Sequence, residues 1–208
     1  MDNIIAELTK TGRDYFGRAF YFNFKKEVNL FLAKSNYMSS AINNRKNYAE
    51  KVNVINWFDD LWAYIEIKFI PKIWEKGTIP NIFFSLSVFQ GQATDAKKVQ
   101  FFRAEWDNYD EPSNKHPQPH WHLYSQKDFL MQEDFNEVVK SEENPFNQFN
   151  QDIRYKIINA DRFHFAMNGQ WADNKTDFHT ISVESDLINW FKGLLNHLKK
   201  ELEFVKEK

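Results

Sequence analysis

Apolar positions along this chain change period twice. Near the start, Phe16, Phe20, Phe24, Val28 and Phe31 recur at steps of four and three, the spacing that draws one stripe down a helix. Thr11 or Asp14 can cap it. A second stripe, Ile55, Phe58, Leu61, Trp62, Ile65 and Phe69, predicts another helix ending near Pro71. The polar, Asn-rich stretch between them predicts a loop with a helix start, so residues 1–75 read as helical. From residue 81 the period becomes two. Ile82, Phe84, Leu86 and Val88 alternate with Ser85 and Ser87. The next strand runs over 99–109, after a hairpin loop at 92–98. Pro112, Ser113, Asn114 and Pro117 supply turn chemistry before a strand at 120–124. Short connections between consecutive strands imply an antiparallel meander of three or more strands, so residues 81–125 read as strand-rich. Residues 126–183 are mixed, with a short helix at 133–139 and an irregular stretch at 153–167. Leu187, Trp190, Phe191, Leu194, Leu195, Leu198, Leu202 and Val205 then predict an amphipathic helix over 184–206.

The expected fold is therefore α+β, an antiparallel sheet packed against N-terminal and C-terminal amphipathic helices. Neither a repeat nor a Pro/Gly-rich linker divides the chain, so residues 1–208 read as a single domain. The composition, 42% hydrophobic and 27% charged, is that of a folded chain. Its 36 aromatic residues include 21 Phe, which a Phe-, Asn- and Lys-rich codon bias can explain. The net charge of −2 gives no global nucleic-acid signature, although 27 basic residues leave room for a local patch. The lack of Cys excludes disulfides, zinc–thiolate sites and Cys nucleophiles, and suits a reducing compartment. The first residues lack a signal-peptide pattern and no window reads as a membrane span. A cytoplasmic protein with no membrane contact is expected.

The chemistry concentrates in two predicted strands. In residues 101–107, Phe102, Ala104 and Trp106 point one way and Arg103, Glu105 and Asp107 the other. In 120–123, Trp121 and Leu123 oppose His120 and His122. If both apolar faces are buried, an arginine, two carboxylates and two imidazoles share a polar face. The two imidazoles then lie about 7 Å apart, within reach of one metal. Glu105, Asp107 or His116 could complete the set, and an N/O site suits Zn, Mn or Fe(II) better than Ca or Mg. Three readings remain open at this stage. The face could be solvated cross-strand polar pairs, a metal site on His116, His120, His122 and Glu105, or a metal-free catalytic site of Arg103, Glu105, Asp107, His120 and His122. His164, His179 and His197 read as structural or surface residues, and Trp57, Phe58 and Trp62 as core.

Several known patterns fail. No Glu follows His122 as a cupin requires, and the His-x-Thr/Ser pairs of two-histidine phosphoesterases are absent. Phosphate-loop, nucleophile-elbow and His-Glu-x-x-His motifs are also missing. The run from Arg103 to Leu123 combines Arg-x-acid-aromatic-Asp with His-Pro-x-x-His-x-His. It resembles uncharacterised bacterial proteins found near toxin–antitoxin and phage-defence genes. The resemblance covers about a tenth of the chain and implies a role in genetic conflict, with no catalytic assignment attached. Two functions follow as expectations. One is a metal-dependent hydrolase or nuclease-like component of a defence system, with Arg103 clamping an anionic group. The other is a non-catalytic subunit of such an assembly, with a protein partner or a second copy bound.

Overall fold

Gly17 ends the first helix and redirects the chain into a sheet. The computed structural model describes residues 2–45, 48–70, 81–95, 98–107, 119–124 and 184–206. Helix α1 spans Asp2–Phe16. Gly17 follows at φ 86°, its amide donating to the Arg13 carbonyl at 3.1 Å. A residue with a Cβ adopts that angle only with strain, so glycine is favoured at the helix end.

The residues expected to continue a helix instead form strands. β1 is Tyr21–Lys25, and one 3-10 turn at Lys26–Val28 leads to β2, Leu30–Lys34. The hairpin β3, Met38–Asn44, and β4, Ala49–Phe58, comes next, then β5, Leu61–Ile70. The prediction that 1–75 is helical is thus corrected: α1 is its one helix longer than a single turn among the described residues. The physical reason lies in burial. Almost every residue of β5 is buried on one face or the other, so its apolar run matches a helical spacing as readily as a strand. Asp59, at φ 49° between β4 and β5, makes the turn that the helical reading passed over.

β6, Asn81–Gln90, β7, Val99–Asp107, and β8, His120–Leu123, follow the predicted meander. The order along the eight-stranded antiparallel sheet is β1-β2-β5-β6-β7-β8. β4 also pairs with β5 and carries β3 outside it. β5 is therefore a fork. Residues 66–68 pair with β2, while residues 61–63 pair with β4. Helix α2, Glu184–Lys206, matches the predicted C-terminal helix.

The two sheet faces bury different material. One packs against α1 and α2 through Ile65, Ile67, Phe84, Leu86, Phe102 and Trp106, all nearly sealed from solvent. Phe16, Phe20, Phe31, Leu194 and Leu198 join this core, and Trp190 packs half-buried at its side. Phe24 does not join it: it is exposed on outer strand β1, stacked on Phe31 at 4.5 Å between centroids. On the opposite face the β3–β4 hairpin covers a smaller core of Val52, Val54, Trp62, Tyr64 and Phe89. Trp57 and Trp62 are buried, as expected for core residues. The end of α2 is tied to the β4–β5 turn, where the Lys206 ammonium lies 3.1 Å from Asp59 and 2.6 Å from Asp60.

Among the described residues no helix is long and apolar enough to cross a membrane. The predicted elements within 126–183, and with them His164 and His179, lie outside the described residues.

Candidate metal centre

A one-residue irregularity in β7 sets which side chains reach the polar face. Phe89 pairs with Gln100 but Val88 pairs with Phe102, so Phe101 is an extra residue. Such a bulge reverses the alternation. Phe101 and Phe102 both enter the helix-side core. Gln100, Arg103 and Glu105 consequently share the other face. Gln100 Nε2 donates to Asn43 Oδ1 at 3.0 Å, and Gln100 Oε1 accepts from the Asn44 amide at 2.7 Å. These bonds fasten the end of β3 across β7.

β8 pairs antiparallel with β7, Glu105 opposite His120, Arg103 opposite His122 and Ala104 opposite Trp121. Trp121 is half-buried against the helix-side core and meets Phe102 edge-on at 5.5 Å. Trp106 is buried on the same side. Leu123, expected to share that burial, is exposed instead, at the end of a four-residue strand that is outermost among the described ones. The register brings Arg103, Glu105, His120 and His122 together as read from alternation. The imidazoles are closer than the expected spacing, with ring centroids 4.7 Å apart, because both lean towards Glu105.

Three potential donor atoms converge. His122 Nε2 lies 2.8 Å from Glu105 Oε2, His120 Nε2 lies 3.4 Å from the same oxygen, and the two Nε2 atoms are 2.9 Å apart. Ligand atoms held about 2.0–2.1 Å from one ion at angles of roughly 90–110° are themselves about 2.9–3.4 Å apart. Glu105, His120 and His122 therefore make a group that could hold a metal ion. Asp107, at the end of β7 opposite Phe83, is not in this group. His116 lies outside the described residues.

Glu105 divides its two oxygens between neighbours. Oε2 faces the imidazoles, while Oε1 lies 2.6 Å from Arg103 Nε and 3.8 Å from Arg45 Nη1. Burial opposes ionisation of this carboxyl. The His120 hydrogen bond and the Arg103 charge outweigh it and hold the pKa down at about 2. His122 is pushed below its ordinary range, chiefly by burial and then by the Arg103 charge. A neutral imidazole keeps the lone pair that metal binding needs.

Arg103 is buried and held from several sides. Besides Glu105, its Nη1 donates to the Asn44 carbonyl at 2.7 Å and to the Tyr124 hydroxyl. Arg45, from just beyond β3, reaches Glu50 at 3.0 Å and also pairs with Glu66. Tyr64 donates to Glu66 at 2.8 Å, and burial followed by the Glu66 charge raises its phenol pKa. Three carboxylates thus face two guanidiniums. Of the three, Glu105 is the one whose free oxygen, Oε2, turns to the imidazoles, where it can meet a cation.

Sequence reasoning missed Arg45, Glu66 and Tyr124. Their only local signal was a charge or a hydroxyl within or just beyond a strand, and their roles come from strands distant in sequence meeting in the sheet. No protein-family model, curated protein or solved structure matches the chain.

Proposed function

We propose that Glu105, His120 and His122 bind one divalent ion and that the centre is hydrolytic. The observation that carries this reading is the triangle of donor atoms, 2.8, 2.9 and 3.4 Å on its sides. Two imidazoles and one carboxylate leave coordination positions open, the arrangement of catalytic rather than structural sites. Zn or Mn suits the donor set. A bound ion there supplies Lewis acidity towards a substrate oxygen. The chain's own residues hold and tune the donors. Arg103 and Arg45 keep Glu105 ionised, and the Asn44–Arg103–Tyr124 bonds lock Arg103 in place. Arg103 is accordingly a positioning residue, since its buried guanidinium cannot clamp a substrate. His122, about a third exposed, offers the approach from solvent.

The local resemblance to proteins near toxin–antitoxin and phage-defence genes supports a setting in genetic conflict, where a hydrolase acts on nucleic acid or nucleotides. A second reading, a non-catalytic subunit of such an assembly, draws support from outer strand β1. Tyr21 and Phe24 on that strand, with Val28 beyond it, are exposed. Exposed apolar groups along a strand that is outermost among the described ones favour a protein partner or a second copy.

The test is hydrolysis of a generic phosphodiester, bis-(p-nitrophenyl) phosphate, by chelator-treated protein with and without added Mn or Zn. Metal-dependent turnover that disappears in His120→Ala and His122→Ala is expected. Turnover indifferent to both histidines excludes the reading. A metal-free, inactive protein that dimerises through Tyr21 and Phe24 favours the interaction subunit.

A further inference from the structure

The fork at β5 opens a cleft that shares Glu105 with the metal centre. It has a volume of about 900 Å³ and is lined by five cationic side chains against three carboxylates. The wall formed by β1 and β2 supplies Lys25 and Lys34, β4 supplies Lys51, and β5 supplies Lys68. Arg45 is the fifth cation, and it already neutralises Glu50 and Glu66. Glu105, the third carboxylate, is held by Arg103. The four lysines make no ion pair with a carboxylate of the described residues. Among the described residues their positive charge is therefore uncompensated. Tyr48 lies at the lining with its ring exposed and the Arg45 guanidinium 5.9 Å from its centroid. Unpaired ammonium groups around a cleft with an exposed aromatic ring suit a phosphate ester bearing a base, through charge and stacking.

We infer that this cleft binds the phosphates of a nucleotide or single-stranded nucleic acid and delivers one of them to the centre at Glu105. The inference rests on the hydrolytic reading of Glu105, His120 and His122 and names its substrate class. Lys25, Lys34, Lys51 and Lys68 hold the anion from both walls and the floor. Tyr48 stacks a base. Arg45 links cleft to centre, contacting Glu66 in the lining and Glu105 at 3.8 Å.

The test is fluorescence anisotropy with a labelled ten-nucleotide single strand, and with ATP as competitor, on chelator-treated full-length protein. Two or three phosphates held by lysines predict a slope of log K against log salt of about −1.5 to −2. The paired reversal Lys51→Glu and Lys68→Glu should weaken binding at least about tenfold. The same charge change at Lys192 and Lys200, both exposed on α2, should leave it unaltered. Thermal melting checks that each variant folds, and Lys51→Gln with Lys68→Gln removes the charges more gently if the reversal does not. ATP competing at the oligonucleotide's own affinity identifies a nucleotide as the ligand, and weaker competition identifies the strand. Absence of binding, or equal loss in both pairs of variants, overturns the inference. Because binding is read without metal, a cleft that binds while no ion does refutes the hydrolytic reading alone. An ion that binds while the strand does not refutes this inference alone.

Discussion

Replacing Glu105 by Gln should destabilise the protein by an amount that vanishes in acid. The carboxyl is 7% exposed and its pKa falls from an ordinary 4.5 to about 2. A gap of about 2.5 in pH, at about 1.4 kcal/mol each, is worth about 3.5 kcal/mol. The folded-state value is the lower one, so the unfolded chain binds the proton first. The stabilisation is complete above about pH 4.5 and is lost as pH falls from there towards 2. His122, depressed chiefly by burial, adds a separate loss of stability as pH falls below the ordinary imidazole range, and a larger one in the variant, where the Glu105 charge and hydrogen bond that raise its pKa are gone. Urea unfolding of both proteins at pH 7, 5, 4 and 3 measures the difference. Wild type should lead by about 3.5 kcal/mol at pH 7, and the Glu105 part of that lead should fall to roughly 1.5 kcal/mol by pH 3. Curves that stay parallel across that window would refute the assignment of Glu105 as the buried anion of the Arg103–Arg45 pair.

Gly12→Ala should lower the melting temperature, although Ala ordinarily stabilises a helix interior by about 1 kcal/mol, because a Cβ at Gly12 overlaps the buried Phe20 ring; a raised melting temperature contradicts that packing. Phe20→Ala should cost about 3–5 kcal/mol in denaturant unfolding and Phe24→Ala far less, since Phe20 is sealed and Phe24 exposed. Similar losses would mean that Phe24 belongs to the core. Trp121→Ala should lower thermal stability and metal affinity together, since Trp121 fixes β8 against Phe102; unchanged affinity in a destabilised variant would detach the strand's packing from its donors.

What the sequence revealed of the site came from local alternation. Arg103 and Glu105 share a face, as do His120 and His122, and the short 120–123 strand had one sensible neighbour. That reasoning works because side-chain direction in a strand depends on parity alone. It failed wherever a feature depended on distant pairing. The Phe16 to Phe31 stripe crosses Gly17, whose helix-ending role carried more information than the spacing of the phenylalanines. Ile55 to Phe69 fits a helical period by coincidence, since Trp62 and Tyr64 serve one core while Ile65 and Ile67 serve another. The β-branched and aromatic richness of that run was the better signal. The Phe101 bulge, and Lys98 buried over the Trp62 ring at 4.8 Å while bonding Ser39, arise from the β3–β4 hairpin lying across β7. No local pattern encodes that contact. Arg45 sits in an unpatterned Asn-rich stretch, so its junction with Glu66 and Glu105 appears only in three dimensions.

Isothermal titration of Zn into chelator-treated protein tests the central claim most directly. One ion per chain should bind at pH 7, and binding should weaken in acid, where protons compete with the metal for its donor atoms. His120→Ala, His122→Ala and Glu105→Gln should each abolish that event, while the melting temperature of the two histidine variants shows that they still fold. Absence of stoichiometric binding by the wild-type protein, or binding undiminished in the folded histidine variants, would contradict the assignment of Glu105, His120 and His122 as a metal centre.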